Sequence, residues 1–161
     1  MLALIPMTTA EYASFFEVAS DGYARDNVEN GRWNASDAPA LAREETKRLL
    51  PEGERTPENY LFVLRDTERE ADVGYLWYGT MTRGTKKVAF LFQIYIHAQF
   101  RRKGYGRQAM QVFETEALKS EHNAFALNVS AMNAGALHLY EAVGYSASSL
   151  VMRKEPRRSD A

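Results

Sequence analysis

Gln93-Ile94-Tyr95-Ile96-His97-Ala98-Gln99-Phe100-Arg101-Arg102-Lys103-Gly104-Tyr105-Gly106-Arg107 joins an apolar run to a basic, glycine-containing turn. Apolar strand residues run straight into a turn holding three cations and two glycines, and a helix begins at once. That helix is expected over Gly104–Glu121, with Met110, Phe113 and Ala117 on one face. Glycine lets the backbone turn tightly and lie close to a ligand. The free N–H groups at a helix start, at the positive end of its dipole, attract an anion. Arg101, Arg102, Lys103 and Arg107 add enough charge for more than one phosphate. A G-x-G pair alone is usually only a turn. Strand, basic glycine loop and helix together point to a phosphate or pyrophosphate group held at a strand–helix junction.

Two common phosphate loops do not match. A dinucleotide fingerprint needs G-x-G-x-x-G, and position 109 is Ala. A nucleoside-triphosphate loop needs Gly-Lys followed by Ser or Thr, which this segment lacks.

Upstream, Tyr60–Arg65, Val73–Met81 and Val88–Ile96 are rich in Val, Ile, Leu and aromatic residues and are separated by turn residues. They are expected as an antiparallel meander. A first strand over Leu2–Pro6 precedes a helix capped by Thr9 that runs to about Asn30, and Gly31 breaks it. A second helix starts at a Ser36-Asp37 cap and stops before Pro51. Downstream come a short strand over Phe125–Val129, a helix over Asn133–Val143 ended by Gly144, and a last strand within Tyr145–Lys154. Pro156–Ala161, including Arg157 and Arg158, reads as a solvated tail. The order is that of a mixed α/β domain, with no repeat or linker dividing residues 1–161.

Composition agrees with a single domain: 161 residues, 45% hydrophobic and 25% charged. The absence of cysteine removes disulfides, thiolate metal sites and a cysteine nucleophile. His97, His122 and His138 lack metal-ligand spacing, so no metal is expected. Met1–Met7 carries no basic flank and is cut by Pro6, which reads as a strand and not a signal peptide. With no membrane-spanning run, a cytoplasmic address is expected and a membrane partner is not. The net charge of −1 hides a split. Residues 1–70 hold 8 Lys+Arg against 14 Asp+Glu, and residues 71–161 hold 12 against 7. Nucleic-acid binding would favour a basic excess over the whole domain, so none is expected.

The basic loop resembles the R-x-x-G-x-G/A signature of the GNAT superfamily of N-acetyltransferases, with Arg101, Gly104 and Gly106 on its fixed positions. The likeness continues downstream. Leu127-Asn128-Val129 resembles that family's fifth strand, and Asn133-x-x-Ala136-x-x-Leu139-Tyr140-x-x-x-Gly144-Tyr145 resembles its N-x-x-A-x-x-L-Y-x-x-x-G-F/Y motif. The N-terminal part is similar to an uncharacterised bacterial branch. This resemblance implies a GNAT-like acyl-CoA N-acyltransferase fold: a mixed central sheet with splayed fourth and fifth strands, flanked by helices. Residues 88–152 would form the acetyl-CoA-binding core and residues 1–70 the acceptor side.

The same resemblance implies the site. The pantetheine arm of acetyl-CoA would lie along the fourth strand at Ile94, Tyr95 and Ile96, bonding the backbone of Ile94 and Ile96. The pyrophosphate would sit on the N–H groups of Arg102, Lys103, Gly104, Tyr105, Gly106 and Arg107, beside Arg101. Asn133 would contact the pantetheine or a bound water, and Tyr140 would aim its hydroxyl at the sulfur. A phenol of pKa about 10 stays protonated at neutral pH and can act as general acid to a departing thiolate. The acceptor would be a small-molecule or peptide primary amine, and the acidic N-terminal half favours a cationic one. Relatives often pair as homodimers through C-terminal strands.

Several residues keep two readings. Tyr140 lies on an apolar helix face and could be packing, and Asn133 could simply cap its helix. Trp33 and Trp77 could be core or acceptor-site lining. Some relatives carry a strand glutamate as general base, whereas this chain offers the neutral amides Gln93 and Asn128. The amine proton would leave through water or through Glu17, Asp21, Asp26 or Glu29. The lack of a strand base keeps open a non-catalytic CoA-binding sensor or interaction domain. A transferase using another acyl-CoA remains a further alternative.

Overall fold

The computed structural model describes residues 1–157. In chain order it contains β1 (Leu2–Pro6), α1 (Thr9–Glu29), α2 (Ala38–Leu49), β2 (Asn59–Asp66), β3 (Ala71–Arg83) and β4 (Lys86–Ile96). These are followed by α3 (Tyr105–Lys119), β5 (Ala124–Leu127) and α4 (Ala134–Ala142). The sheet runs β1-β2-β3-β4-β5. The first four strands are antiparallel neighbours, as the meander reading expects, and β5 joins β4 in parallel.

Side chains alternate across a strand, and β2 and β3 use both faces. Leu61, Val63, Tyr75 and Trp77 face α1, packing with Phe15 and Ala19. Phe62, Leu64, Leu76 and Tyr78 face α3, packing with Ala109, Met110, Phe113 and Ala117. This explains why Val73–Gly79 is buried without interruption: helices cover the strand on both sides. Phe15 and Phe113 are fully buried, each contributing about 1.5–3 kcal/mol of transfer free energy. The arrangement brings the starts of α3 and α4 to the far end of β4.

Three sequence readings are corrected. The cap of α1 is Thr8, not Thr9. Glu11 N–H donates to Thr8 Oγ1 at 3.4 Å and Thr8 N–H donates to Glu11 Oε2 at 2.7 Å, a reciprocal pair that satisfies two orphan donors. The Thr9 hydroxyl instead donates to Glu54. Asp37 stands at the start of α2 but its side chain makes no cap bond, and Pro39 in the first turn supplies the fixed φ.

The third correction is larger. No strand lies within Tyr145–Lys154. A strand exists by its ladder, and Ser146, Ser148 and Ser149 give this segment no continuous apolar face to bury. Leu150, Val151 and Met152 are consequently 76%, 101% and 89% exposed. Arg157 is exposed, while Arg158 and the rest of the tail lie outside the described residues. Trp77 is core, its Nε1 donating to Asn59 Oδ1 at 2.9 Å, and Trp33 packs edge-on against Tyr23. Among the described residues no helix is long and apolar enough to cross a membrane.

Candidate active site

The site begins where two strands part. β4 and β5 pair only from Val88↔Ala124 to Leu91↔Leu127. The next residue, Phe92, is a bulge: the β3 partners step from Tyr78↔Leu91 to Trp77↔Gln93 and pass over it. A bulge bends its strand and increases the local twist. Beyond it, Gln93–Ile96 keeps β3 on one edge and has no strand on the other. This is the splay expected between the fourth and fifth strands. It opens at Leu127, so the Asn128 and Val129 positions expected in the strand lie in the following loop.

Backbone direction in this segment follows from one bond. His97 N–H donates to Val73 O at 2.9 Å, which makes Val73/His97 a hydrogen-bonded pair. Antiparallel pairs alternate, so Tyr95 and Gln93 also turn their backbone groups toward β3. Ile94 and Ile96 turn theirs into the gap. Arg101 Nε occupies the Ile96 carbonyl at 2.9 Å and lays its guanidinium over the Tyr95 ring at 5.4 Å. A Cβ added at Gly74 would lie 1.8 Å from Tyr95 O, so glycine is required for β3 to approach β4 this closely. Tyr95 itself stacks on Tyr75 and meets His97 edge-on. Burial holds the His97 pKa below its usual value, with the charge of Arg101 adding and Asp72 opposing.

β4 leads through a 3₁₀ turn at Ala98–Phe100 to the glycine loop. Arg102 has φ +61° and Gly104 has φ +81°, two left-handed residues that swing the chain into α3. Gly104 is the N-cap and no side chain caps this end. The N–H groups of Gly104, Tyr105, Gly106 and Arg107 thus form the orphan set of the helix start. A Cβ on Gly104 would meet nothing within 4 Å, so the space off this residue at the helix start is open. A Cβ on Gly106 would come 3.2 Å from Leu139 Cδ2, so this glycine lets α4 pack on α3. Lys103 Nζ donates to Gln99 O at 2.9 Å, while Arg102 and Arg107 are exposed. The arrangement can hold an anion on backbone donors with exposed positive charge around it.

Tyr105 differs from its neighbours. Its ring is buried at 6% exposure and its hydroxyl donates to Asp66 Oδ2 at 2.5 Å, leaving the backbone N–H for the loop. Asp66 Oδ1 accepts from Glu68 and Arg69 N–H at 3.0 and 3.2 Å, closing the β2–β3 turn. The Tyr105 hydrogen bond is the main cause holding the Asp66 pKa below the usual carboxylate value. Sequence reading missed Asp66. It marks a turn, but its partner lies 39 residues away and nothing local announces the pair.

On the other side of the gap, Asn133 caps α4, its Oδ1 accepting from Ala136 N–H at 3.2 Å. The capping reading is thereby realised. Tyr140 is half-buried against the α3-side core, with its ring 6.2 Å from Tyr145. Burial raises its pKa first, and the charge of Asp26 raises it further. His122 is a core residue, its ring nitrogens meeting Thr80 Oγ1 at 2.8 Å and Ala117 O at 3.0 Å, and His138 is exposed. Among the described residues no three metal-binding side chains converge.

Relatives share this architecture. The model of the acetyltransferase (GNAT) family matches residues 24–145. The chain is 31% identical over 154 residues to the uncharacterized N-acetyltransferase YycN of Bacillus subtilis, covering 96% of this chain and 98% of that one. It is 26% identical over 149 residues to the uncharacterized N-acetyltransferase YdgE of the same organism, covering 92% and 94%. The crystal structure of YycN superposes with a TM-score of 0.92 at 30% identity, covering 98% of this chain and all of that one. AAC(6')-Iy, solved with the bisubstrate analogue CoA-S-monomethyl-acetylneamine, shares the fold at a TM-score of 0.60 and 14% identity, covering 98% and 99%. With its parted β4 and β5, its glycine loop at the start of α3 and these relatives, the chain belongs to the acetyltransferase (GNAT) family.

Proposed function

We propose that residues 1–161 work as one acetyl-CoA-dependent N-acetyltransferase domain, passing an acetyl group directly to a primary amine with Tyr140 as general acid. The observation that carries this reading is the parting of β4 from β5 at Phe92, with the exposed β4 edge leading into the open Gly104 turn. The two parts match a ligand with an extended amide-bearing arm and a pyrophosphate. The open space off Gly104 and the Ile94 groups aimed into the gap fit such a ligand.

Acetyl-CoA supplies a thioester carbonyl open to attack and a sulfur that can leave as thiolate. Ile94 and Ile96 hold the arm as a pseudo-strand, and the Ile94 N–H polarises the acyl oxygen. Gly104, Tyr105, Gly106 and Arg107 donate backbone N–H groups to the pyrophosphate, and Arg101, Arg102 and Lys103 add charge around it. Tyr95 supports the strand from the β3 side. Tyr140 is kept protonated by its raised pKa, so it can give its proton to the sulfur at neutral pH. Asn133 steadies the α4 start beside the arm.

The acidic balance of residues 1–70 supports a cationic acceptor such as a polyamine or a lysine side chain, since a cleft of one sign concentrates the opposite charge. Acetylation rates over cationic, neutral and anionic amines at low and high salt test this. Preference for anionic amines would refute it. The exposed Leu150–Met152 run supports a homodimer paired through that segment, which sedimentation would reveal. The amides Gln93 and Asn128, where a base would be expected, favour a second reading as a CoA-binding sensor. Free-thiol release from acetyl-CoA over an amine panel separates the two: the transferase releases thiol only with an amine present, and the sensor binds CoA without turnover.

A further inference from the structure

Of the five carboxylates on α1, Asp26 lies nearest the middle of the helix face that looks onto the site. An α-helix turns about 100° per residue, so Phe15, Gly22, Asp26 and Asn30 form one stripe. Three of these positions are fixed by contacts. Phe15 packs edge-on against Tyr75 and Trp77 of β3, at 5.9 and 6.0 Å between ring centres. A Cβ on Gly22 would lie 3.8 Å from Gln93 Nε2, so this turn passes over β4 just after the bulge. Asn30 Oδ1 accepts from Ser130 Oγ at 2.9 Å, joining the end of α1 to the loop between β5 and α4. Asp26 lies between Gly22 and Asn30, one turn from each. The stripe goes from β4 to the segment beyond β5, and Asp26 therefore stands over the gap between them.

The other acids point elsewhere. Glu17 is held by Arg43, whose Nη1 donates to its two oxygens at 2.7 and 2.6 Å. Asp21 lies on the same outer side of the helix, Glu29 sits about 20° beyond Gly22 at the edge of the stripe, and Glu11 is tied to Thr8 in the helix cap.

We propose that Asp26 is the carboxylate that receives the acceptor ammonium and takes its first proton, the role for which β4 and the loop after β5 offer only Gln93 and Asn128. The inference rests on the transferase reading above and names the base that reading lacks. The ammonium loses two protons as the amide forms. The first goes to Asp26 and on to solvent. The nitrogen then bonds to the acyl carbon as the carbon–sulfur bond breaks, and the second proton reaches the sulfur by way of Tyr140. The electrostatics of the site are in keeping with this placement. Asp26 is exposed, yet partial desolvation of its carboxylate raises its pKa, with Glu29 adding and Arg25 opposing. The same charge is felt by the Tyr140 phenol across the gap.

The test uses full-length Asp26→Asn and Asp26→Glu with acetyl-CoA and two probe amines, spermidine and a lysine-containing peptide. Asp26→Asn should keep CoA affinity within about twofold while turnover falls about 10²-fold and the acidic limb of kcat/KM disappears. Asp26→Glu should recover part of the rate. A second readout needs no acceptor: in protein carrying 13C-labelled tyrosine, Asp26→Asn should lower the pKa of Tyr140. Asp26→Asn turning over like wild type with CoA bound normally would overturn the assignment and leave the transferase intact. Wild type that binds CoA but acetylates neither amine would overturn the transferase reading, and this inference with it.

Discussion

Replacing Gly104 by Val separates binding from folding, because the structure sets the two costs apart. Gly104 has φ +81°, a conformation costing an L residue about 1–2 kcal/mol, and more for a β-branched side chain. Nothing lies within 4 Å of the added Cβ, so no clash adds to that cost. For a domain of this size, 1–2 kcal/mol lowers Tm by about 2–8 °C, which leaves the protein folded. The new methyl groups fill the space where a pyrophosphate would meet the start of α3. Losing one or two charge-assisted hydrogen bonds, at about 1.5–3 kcal/mol each, weakens CoA binding by about 10- to 10⁴-fold. Gly84 provides the control, since it has φ +60°, equally open surroundings and a place in the β3–β4 turn. Calorimetry with CoA and a thermal melt on both variants decide the matter. Gly84→Val should melt lower and bind CoA normally; Gly104→Val should melt lower and lose CoA. Normal CoA affinity in folded Gly104→Val would refute the phosphate assignment.

Tyr140→Phe keeps the ring against the core and removes the proton donor. CoA affinity should hold while turnover falls about 10²-fold in the thiol-release assay, and wild-type turnover would reduce Tyr140 to packing. Tyr105→Phe removes the donor that depresses the Asp66 pKa. A depressed carboxylate stabilises the fold above its unfolded pKa of about 3.9, and that contribution is lost as pH falls through the lower folded value. Wild type should therefore melt above Tyr105→Phe at pH 7, and the gap should narrow below about pH 4. A gap independent of pH would show that Asp66 takes no part.

The fold was legible because its elements carry local signals. Enrichment in Val, Ile, Leu and aromatic residues between turn residues marked β2, β3 and β4, glycine and cations marked the loop before α3, and Asn133 with Gly144 bounded α4. What escaped was set by contacts between residues far apart in the chain. Asp66 meets Tyr105 across 39 residues, and Asn30 meets Ser130 across 100. No window of sequence contains either pair, so Asp26 could not be ranked above Glu17, Asp21 and Glu29 until the helix stripe was fixed by its contacts. The expected strand in Tyr145–Lys154 failed for a related reason. Leu150, Val151 and Met152 have strand propensity, but a strand also needs a partner edge, which composition does not reveal. Either threonine can cap α1, and only Thr8 stands three residues before Glu11.

If the β4 edge and the α3 start together hold CoA, backbone amide chemical shifts followed by NMR as acetyl-CoA is added to the full chain will show it. Saturable changes should concentrate at Ile94, Ile96 and Gly104–Arg107, with smaller ones at Asn133 and Tyr140. Changes confined to other elements, or no change at millimolar acetyl-CoA, would contradict it.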